Sequence, residues 1–311
     1  MSSSPSASHA HFAALSDPGQ VREHNEDALL CNHDLGLWAV ADGMGGHHYG
    51  EIAAQIAVQT LADTFQREAK PLLADPFRFL QKSMTNAHHA ILDYTTRHKL
   101  RDTPRTTCVA CVVQDNVAYW AHAGDSRLYL MREGRVIAQT KDHSRIRLLI
   151  EEGMISEAQA AFHPDRNKIY SCLGSPTPPE IEFSRKTPLN HGDILLLCSD
   201  GLWGEMSGDM MAVALKGSNL LQAVPMILNQ AETKGGPHRD NLSVVAVRWE
   251  DAYVEEASSA ISTQTMSQDE VTTRLEEFGR NPAYKSELSD EEIEKAIDEI
   301  RNAIDKYNPK K

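Results

Sequence analysis

Leu37-Trp38-Ala39-Val40-Ala41-Asp42-Gly43-Met44-Gly45-Gly46-His47-His48-Tyr49-Gly50-Glu51 is the most informative stretch of the chain. It begins as an apolar strand, breaks in a glycine-rich turn and runs into a helix expected from Glu51. Asp42 falls where that strand is expected to end, so its carboxylate points into the turn rather than into a core. Gly43 follows, and without a Cβ its carbonyl can be approached closely. A side-chain oxygen next to a backbone oxygen is a natural start for a hard-cation site. Two other readings compete. One is an ordinary strand-to-helix turn with an acid at its start. The other is a dinucleotide-binding turn, but its G-x-G-x-x-G pattern fails at His48, and the Asp42 carboxylate would repel a pyrophosphate. A cation site, in turn, needs carboxylates from elsewhere in the chain.

The totals narrow the function classes. A length of 311 residues suffices for one large catalytic domain plus an extension. A hydrophobic share of 41% and a charged share of 24% are those of a soluble globular protein. The net charge of −13 argues against nucleic acid as a partner. Residues 251–311 hold 15 acidic and 8 basic side chains, so more than half of that excess is local to the tail. The five cysteines, Cys31, Cys108, Cys111, Cys172 and Cys198, are odd in number and do not space as a disulfide framework. Cys108 and Cys111 lie in an expected strand, where residues three apart face opposite ways, so they read as core thiols rather than a metal clasp. No cysteine is followed by Arg six positions later, which removes the cysteine-phosphatase loop. The Ser-rich start, Met1–Ala10, has no basic segment or apolar run, and no stretch approaches the ~20 apolar residues of a membrane span. A cytoplasmic, soluble protein with no membrane contact is the expectation.

Residues 1–10 read as a disordered leader, and residues 11–250 as one catalytic domain. A first strand is expected over 11–16, before the turn Asp17-Pro18-Gly19. Arg22, Glu26 and Asp27 then precede apolar Ala28 to Cys31; they suit either an exposed charged loop or a site in which the acids hold water and the Arg faces an anion. The strand over 35–41 leads to an amphipathic helix carrying Ile52, Ala53, Ile56, Ala57, Leu61 and Phe65. A second helix carries Leu80, Met84, Ala87 and Ile91. Four short strands, 107–113, 117–122, 127–131 and 136–140, predict an antiparallel meander with Asp125 at a tight point within it. Residues 145–180 read as an inserted flap, with a helix near Ile146–Ile150 and another capped by Ser156. Strands over 181–186 and 193–198, a helix over 215–230 and a strand over 242–249 complete the domain.

Asp42, Asp200 and Asp240 each stand at an expected strand boundary, two of them followed by Gly. Strand ends of one sheet converge, so three distant acids can share one site. Oxygen-only ligands suit Mg²⁺ or Mn²⁺ better than Zn²⁺, and no H-E-x-x-H or paired C-x-x-C is present. With the segments Arg22–Asp27, Ala41–His47, Thr106-Thr107, Gly124–Arg127, Asp142-His143-Ser144, Leu173-Gly174, Ser199-Asp200-Gly201 and Asp240-Asn241 in this order, the chain resembles the metal-dependent Ser/Thr protein phosphatases of type 2C, the PPM family, in their bacterial form. The resemblance spans roughly residues 12–249.

That resemblance implies an α+β fold, a four-layer α-β-β-α sandwich of two antiparallel sheets between helices. It implies two core ions, Mn²⁺ or Mg²⁺, with Asp42 bridging them, the Gly43 carbonyl on one, and Asp200 and Asp240 on the other. Asp125 matches the acid that joins Asp200 at a third, weaker ion. Glu26 and Asp27 match acids that hold ion-bound water, Arg22 the phosphate-binding Arg, and His47 a proposed general acid, with His48 adjacent. The implied reaction is hydrolysis of phosphoserine and phosphothreonine on proteins by hydroxide held between the ions, opposing a Ser/Thr kinase. The partners are then phosphorylated proteins, a kinase or its targets. Arg105 stands where the family usually has Gly, and Pro237-His238-Arg239 interrupts the glycine run before Asp240; neither removes an implied ligand. The rival reading is a catalytically silent, metal-holding module that binds a phosphoprotein or another partner.

Residues 251–311 fall outside the resemblance. Capping-box patterns begin at Ser267 and Ser289, and the second opens a helix with Ile293, Ile297, Ile300 and Ile304 on one stripe. Such a helix either docks on its own domain or binds a partner.

Overall fold

The computed structural model describes residues 10–17, 25–32, 36–44, 49–160, 163–165, 168–235 and 240–251. Residues 1–9 of the expected leader and the expected C-terminal helix lie outside the described residues, as does nearly all of the linker before that helix, while Ala10, expected in the leader, opens the first strand. The described elements are, in chain order, β1 (Ala10–Asp17), β2 (Asp27–Asn32), β3 (Leu37–Met44), α1 (Gly50–Glu68), α2 (Pro76–His98), β4 (Arg105–Thr106), β5 (Cys108–Gln114), β6 (Val117–Ala123), β7 (Arg127–Arg132), β8 (Arg135–Gln139), α3 (Arg145–Glu151), α4 (Glu157–Ala160), β9 (Glu182–Phe183), β10 (Thr187–Pro188), β11 (Ile194–Cys198), α5 (Asp200–Trp203), α6 (Gly208–Leu215), α7 (Leu220–Gly235) and β12 (Leu242–Trp249).

The strands form two antiparallel sheets. One runs β1-β12-β11-β7-β8; the other runs β10-β6-β5-β3-β2, with β4 added to β3 and β9 to β6. The central strands are buried on both faces, so they read as unbroken apolar runs, yet their alternation sorts side chains between layers. Leu37, Ala39 and Ala41 of β3 pack with α1 and α2, while Trp38 and Val40 face the middle of the sandwich. Val109, Leu128, Leu195, Leu197, Val245 and Val247 meet them there. Ile194, Leu196 and Cys198 turn the other way, onto Leu202, Met211, Leu215, Val224 and Ile227 from α5, α6 and α7. Each large side chain so buried contributes about 1.5–3 kcal/mol. The order of layers is therefore helix, sheet, sheet, helix, as expected. Cys108 and Cys111 also behave as expected: the first faces the helices, the second the middle layer, and neither is in a disulfide.

Several expectations need correction. Strand β3 does not stop at Asp42 but continues to Met44, because Gly43 and Met44 pair with Thr106 and Arg105 of β4. The four strands after α2 are not one meander. β5 pairs with β6 and β7 with β8, but β6 and β7 belong to different sheets, so the chain crosses the sandwich at residues 124–126. Gly124 permits that crossing with φ at +111°, and a Cβ there would come within 2.7 Å of the Thr107 side chain. The strand expected over 181–186 is only the short pairing Glu182–Phe183, followed by a second one at Thr187–Pro188. The helix expected over 215–230 begins only at Leu220, as α7, after a break near Gly217 (φ +65°), and the unexpected α6 precedes it. On α1, Ala53, Ala57, Leu61 and Phe65 are buried as expected, while Ile52 and Ile56 are only half-buried. The second helix buries Leu80, Met84, Ala87 and Ile91 as expected.

Candidate functional site: a carboxylate cluster between the sheets

Asp42 stands directly opposite Asp27 in the β2–β3 ladder. Like charges in that position are destabilising in a sheet, so the backbone around them is firmly held. The Asp42 carbonyl accepts from the Thr106 hydroxyl at 2.9 Å and from the Thr107 N–H at 2.9 Å. The Asp42 N–H donates to the Thr107 hydroxyl at 3.1 Å. Gly43 N–H donates to the Glu26 carbonyl at 3.0 Å, and a Cβ on Gly43 would lie 2.4 Å from both the Glu26 and Gly50 carbonyl oxygens. Only glycine fits that crevice.

The opposite sheet brings three more acids. Asp125 lies on the crossover between β6 and β7, Asp200 begins α5 directly after β11, and Asp240 precedes β12. Burial pushes the Asp42 carboxyl well above the usual carboxylate range, and the charges of Asp27, Asp200, Asp125 and Asp240 push it further. Burial raises Asp125 likewise, with Asp200 the next cause. Burial also raises Asp27, to about 7, against hydrogen bonds from Ser243 and Ser199 that favour its ionised form. Five carboxylates from two sheets therefore sense one another at one place.

Polar side chains stitch the sheets together around them. Ser199 Oγ donates to Asp27 Oδ2 at 2.9 Å and itself accepts from the Ser243 N–H at 3.1 Å. The Glu26 N–H donates to Asn241 Oδ1 at 2.9 Å, and the Thr107 and Ser126 hydroxyls lie 2.7 Å apart. Asp27 Oδ1 is shut away from solvent and has no hydrogen-bond partner among the described residues. A buried carboxylate oxygen in that state, beside four other acids and a crevice only glycine can form, suits a hard divalent cation.

Asp27, Asp42, Asp125, Asp200 and Asp240 therefore converge, and Glu26 is tied to them by its backbone N–H and carbonyl. Arg22 and His47 lie outside the described residues. The sequence reading assigned no role to Thr107, Ser126, Ser199, Asn241 or Trp203. Their signal was position: each adjoins, or follows within three residues, an acid of the cluster or the Thr106-Thr107 pair.

A second cluster, His122, His143 and Glu182, lies beyond the Gly124 turn. It suits a metal poorly. His143 Nδ1 accepts from the Gly124 N–H at 3.3 Å, so the neutral ring carries its proton on Nε2, the atom facing Glu182 at 3.6 Å. Burial keeps both imidazoles below the ordinary histidine range.

Comparison with known proteins agrees with this geometry. A family-wide sequence profile described as "Protein phosphatase 2C" matches residues 20–234. A serine/threonine phosphatase, stp, of Listeria monocytogenes is 33% identical over 244 residues, covering 77% of this chain and 95% of that protein. The crystal structure of the Mycobacterium tuberculosis serine/threonine phosphatase PstP/Ppp superposes with a TM-score of 0.69 at 33% identity, covering 78% of this chain and 99% of that one. A PstP catalytic domain in complex with two manganese ions matches with a TM-score of 0.67 at 32% identity, over 78% of this chain and 99% of that one. Fold, clustered acids and sequence likeness coincide over the same residues, and the chain belongs to the protein phosphatase 2C family.

Proposed function

We propose that this chain is a metal-dependent protein phosphatase that hydrolyses phosphoserine and phosphothreonine on proteins phosphorylated by a Ser/Thr kinase, with residues 11–250 as its catalytic domain. The convergence of Asp27, Asp42, Asp125, Asp200 and Asp240 from two sheets carries the reading. Such a cluster is costly in an empty protein, and divalent cations turn that cost into affinity. Asp42, the Gly43 carbonyl, Asp200 and Asp240 would hold two Mn²⁺ or Mg²⁺ ions, and Asp125 with Asp200 a third. When bound, these ions neutralise phosphate charge and lower the pKa of a water molecule toward neutrality.

The chain's own groups do the rest. Thr106 and Thr107 fix the Asp42 backbone, so its carboxylate does not retreat from its neighbours. Ser199 orients Asp27, which together with Glu26 would order water at the cluster. The resemblance gives Arg22 the role of holding two phosphate oxygens with its planar fork, and gives His47 that of protonating the departing Ser or Thr oxygen. The test is hydrolysis of p-nitrophenyl phosphate with and without Mn²⁺. Manganese-dependent turnover is expected; its absence in folded protein would favour a silent binding module instead.

A further inference from the structure

Residues 124–126 belong to no strand, yet they must place the Asp125 carboxylate beside Asp200. Side chains from three directions hold them. His143 grips Gly124 twice: its own N–H donates to the Gly124 carbonyl at 3.0 Å, and its Nδ1 accepts from the Gly124 N–H. The Ser126 hydroxyl meets Thr107. The Asp125 carbonyl accepts from Trp203 Nε1 at 2.9 Å. That last contact differs from the others, because Trp203 ends the one-turn helix α5 that Asp200 begins. One indole N–H thus ties the backbone of one acid to the turn carrying the other.

The indole is itself fixed. The Arg127 guanidinium lies over the Trp203 ring, 3.6 Å from its centroid. Arg127 is in turn locked by two 2.7 Å hydrogen bonds to Asp142 and one of 3.0 Å to the Tyr129 hydroxyl. The pull of Arg127 on Asp125 is opposed by the charge of Asp142, and the guanidinium serves as a flat support for the ring. Asp125 and Asp200 repel one another, and of the three holds on the crossover only the Trp203 bond reaches across to the turn that carries Asp200.

We infer that Trp203, backed by Arg127, is a positioning residue that sets the Asp125–Asp200 spacing and thereby the affinity of the weakest cation site. This rests on the proposed placing of an ion between those two acids. It assigns to an aromatic side chain, not to a ligand, control over whether that ion is bound at a given cation concentration.

The experiment is a calorimetric Mn²⁺ titration of the full chain as wild type, Trp203→Phe, Asp125→Asn and the double variant, with melting temperatures in EDTA alongside. Trp203→Phe keeps an aromatic ring under Arg127 and deletes only the donor. The weakest-site dissociation constant is expected to rise about fivefold, as loss of one neutral hydrogen bond implies, while the tighter sites stay unchanged. In the Asp125→Asn background the Trp203 change should have no further effect on the isotherm. Arg127→Lys, a second route to the same loosening, should weaken the same site alone. If Asp125→Asn removes a weak site but Trp203→Phe leaves it intact, or weakens every site equally, the positioning role falls. If Asp125→Asn leaves the isotherm unchanged, the ion assignment itself falls.

Discussion

Replacing Asp27 by Asn should stabilise the ion-free protein at neutral pH and cost about 1 kcal/mol in acid, where the charge penalty has vanished. Asp27 binds its proton more tightly in the folded chain, where its pKa is about 7, than in the unfolded chain, at 3.8. Between those values the folded state holds a proton that the unfolded state has released, so stability falls as pH rises through the window. The difference amounts to about 4 kcal/mol once pH exceeds 7. Asn keeps an oxygen to accept from Ser199 but places its amide where Asp27 Oδ1 has no partner, which costs about 1 kcal/mol. The net gain for Asp27→Asn in EDTA at pH 8 is therefore about 3 kcal/mol, a shift of roughly 1 M in the urea midpoint for an m-value near 3 kcal/mol/M. Urea unfolding of both proteins in EDTA at pH 5 and pH 8 measures it directly. An Asp27→Asn protein no more stable than wild type at pH 8, or equally stabilised at pH 5, would refute the account of Asp27 as a carboxylate ionised at a loss. Saturating Mn²⁺ should close the gap, because bound cations stabilise the wild-type charge.

Asp42→Asn should abolish manganese-dependent turnover of p-nitrophenyl phosphate, and near-normal rates would end its assignment as a ligand. Arg22→Ala should mainly raise KM, measured in saturation kinetics with a phosphopeptide; a fall in kcat at unchanged KM would contradict phosphate binding. Asp193→Ala should lower stability by about 2 kcal/mol in urea titrations, since the partly exposed Arg132 left behind can turn to water. Its carboxylate is fully buried, takes two 2.7 Å hydrogen bonds from Arg132 and caps the Asn190 N–H, and it lies apart from the five clustered acids. Turnover of the folded variant should be unaffected.

The individual elements were legible because central strands covered on both faces leave unbroken apolar runs, as at 37–41 and 194–198, and α2 has a clean buried stripe, whereas the order of the layers came from the family resemblance. The acids were legible because Asp42, Asp200 and Asp240 fall where such runs give out. What the sequence hid was partnership. Four strands separated by short turns look like a meander, and nothing local says that β6 and β7 part company at Gly124. The end of β3 was misjudged for a related reason: its last two residues are kept extended by β4, some sixty residues away. Trp203 passed unremarked because its job depends on a carbonyl 78 residues earlier in the chain.

The acids reach their meeting point from both halves of the sandwich, with the packing of Trp38, Leu195, Leu197 and Val245 between those halves. The ion cluster is thus a gauge of sheet alignment. Any slip of one sheet over the other, even from a trimmed side chain deep in the middle layer, alters the spacing among oxygens that no substitution has touched. Manganese affinity should then track the shear of the whole sandwich, so core mutations far from the carboxylates become a second way to retune the enzyme.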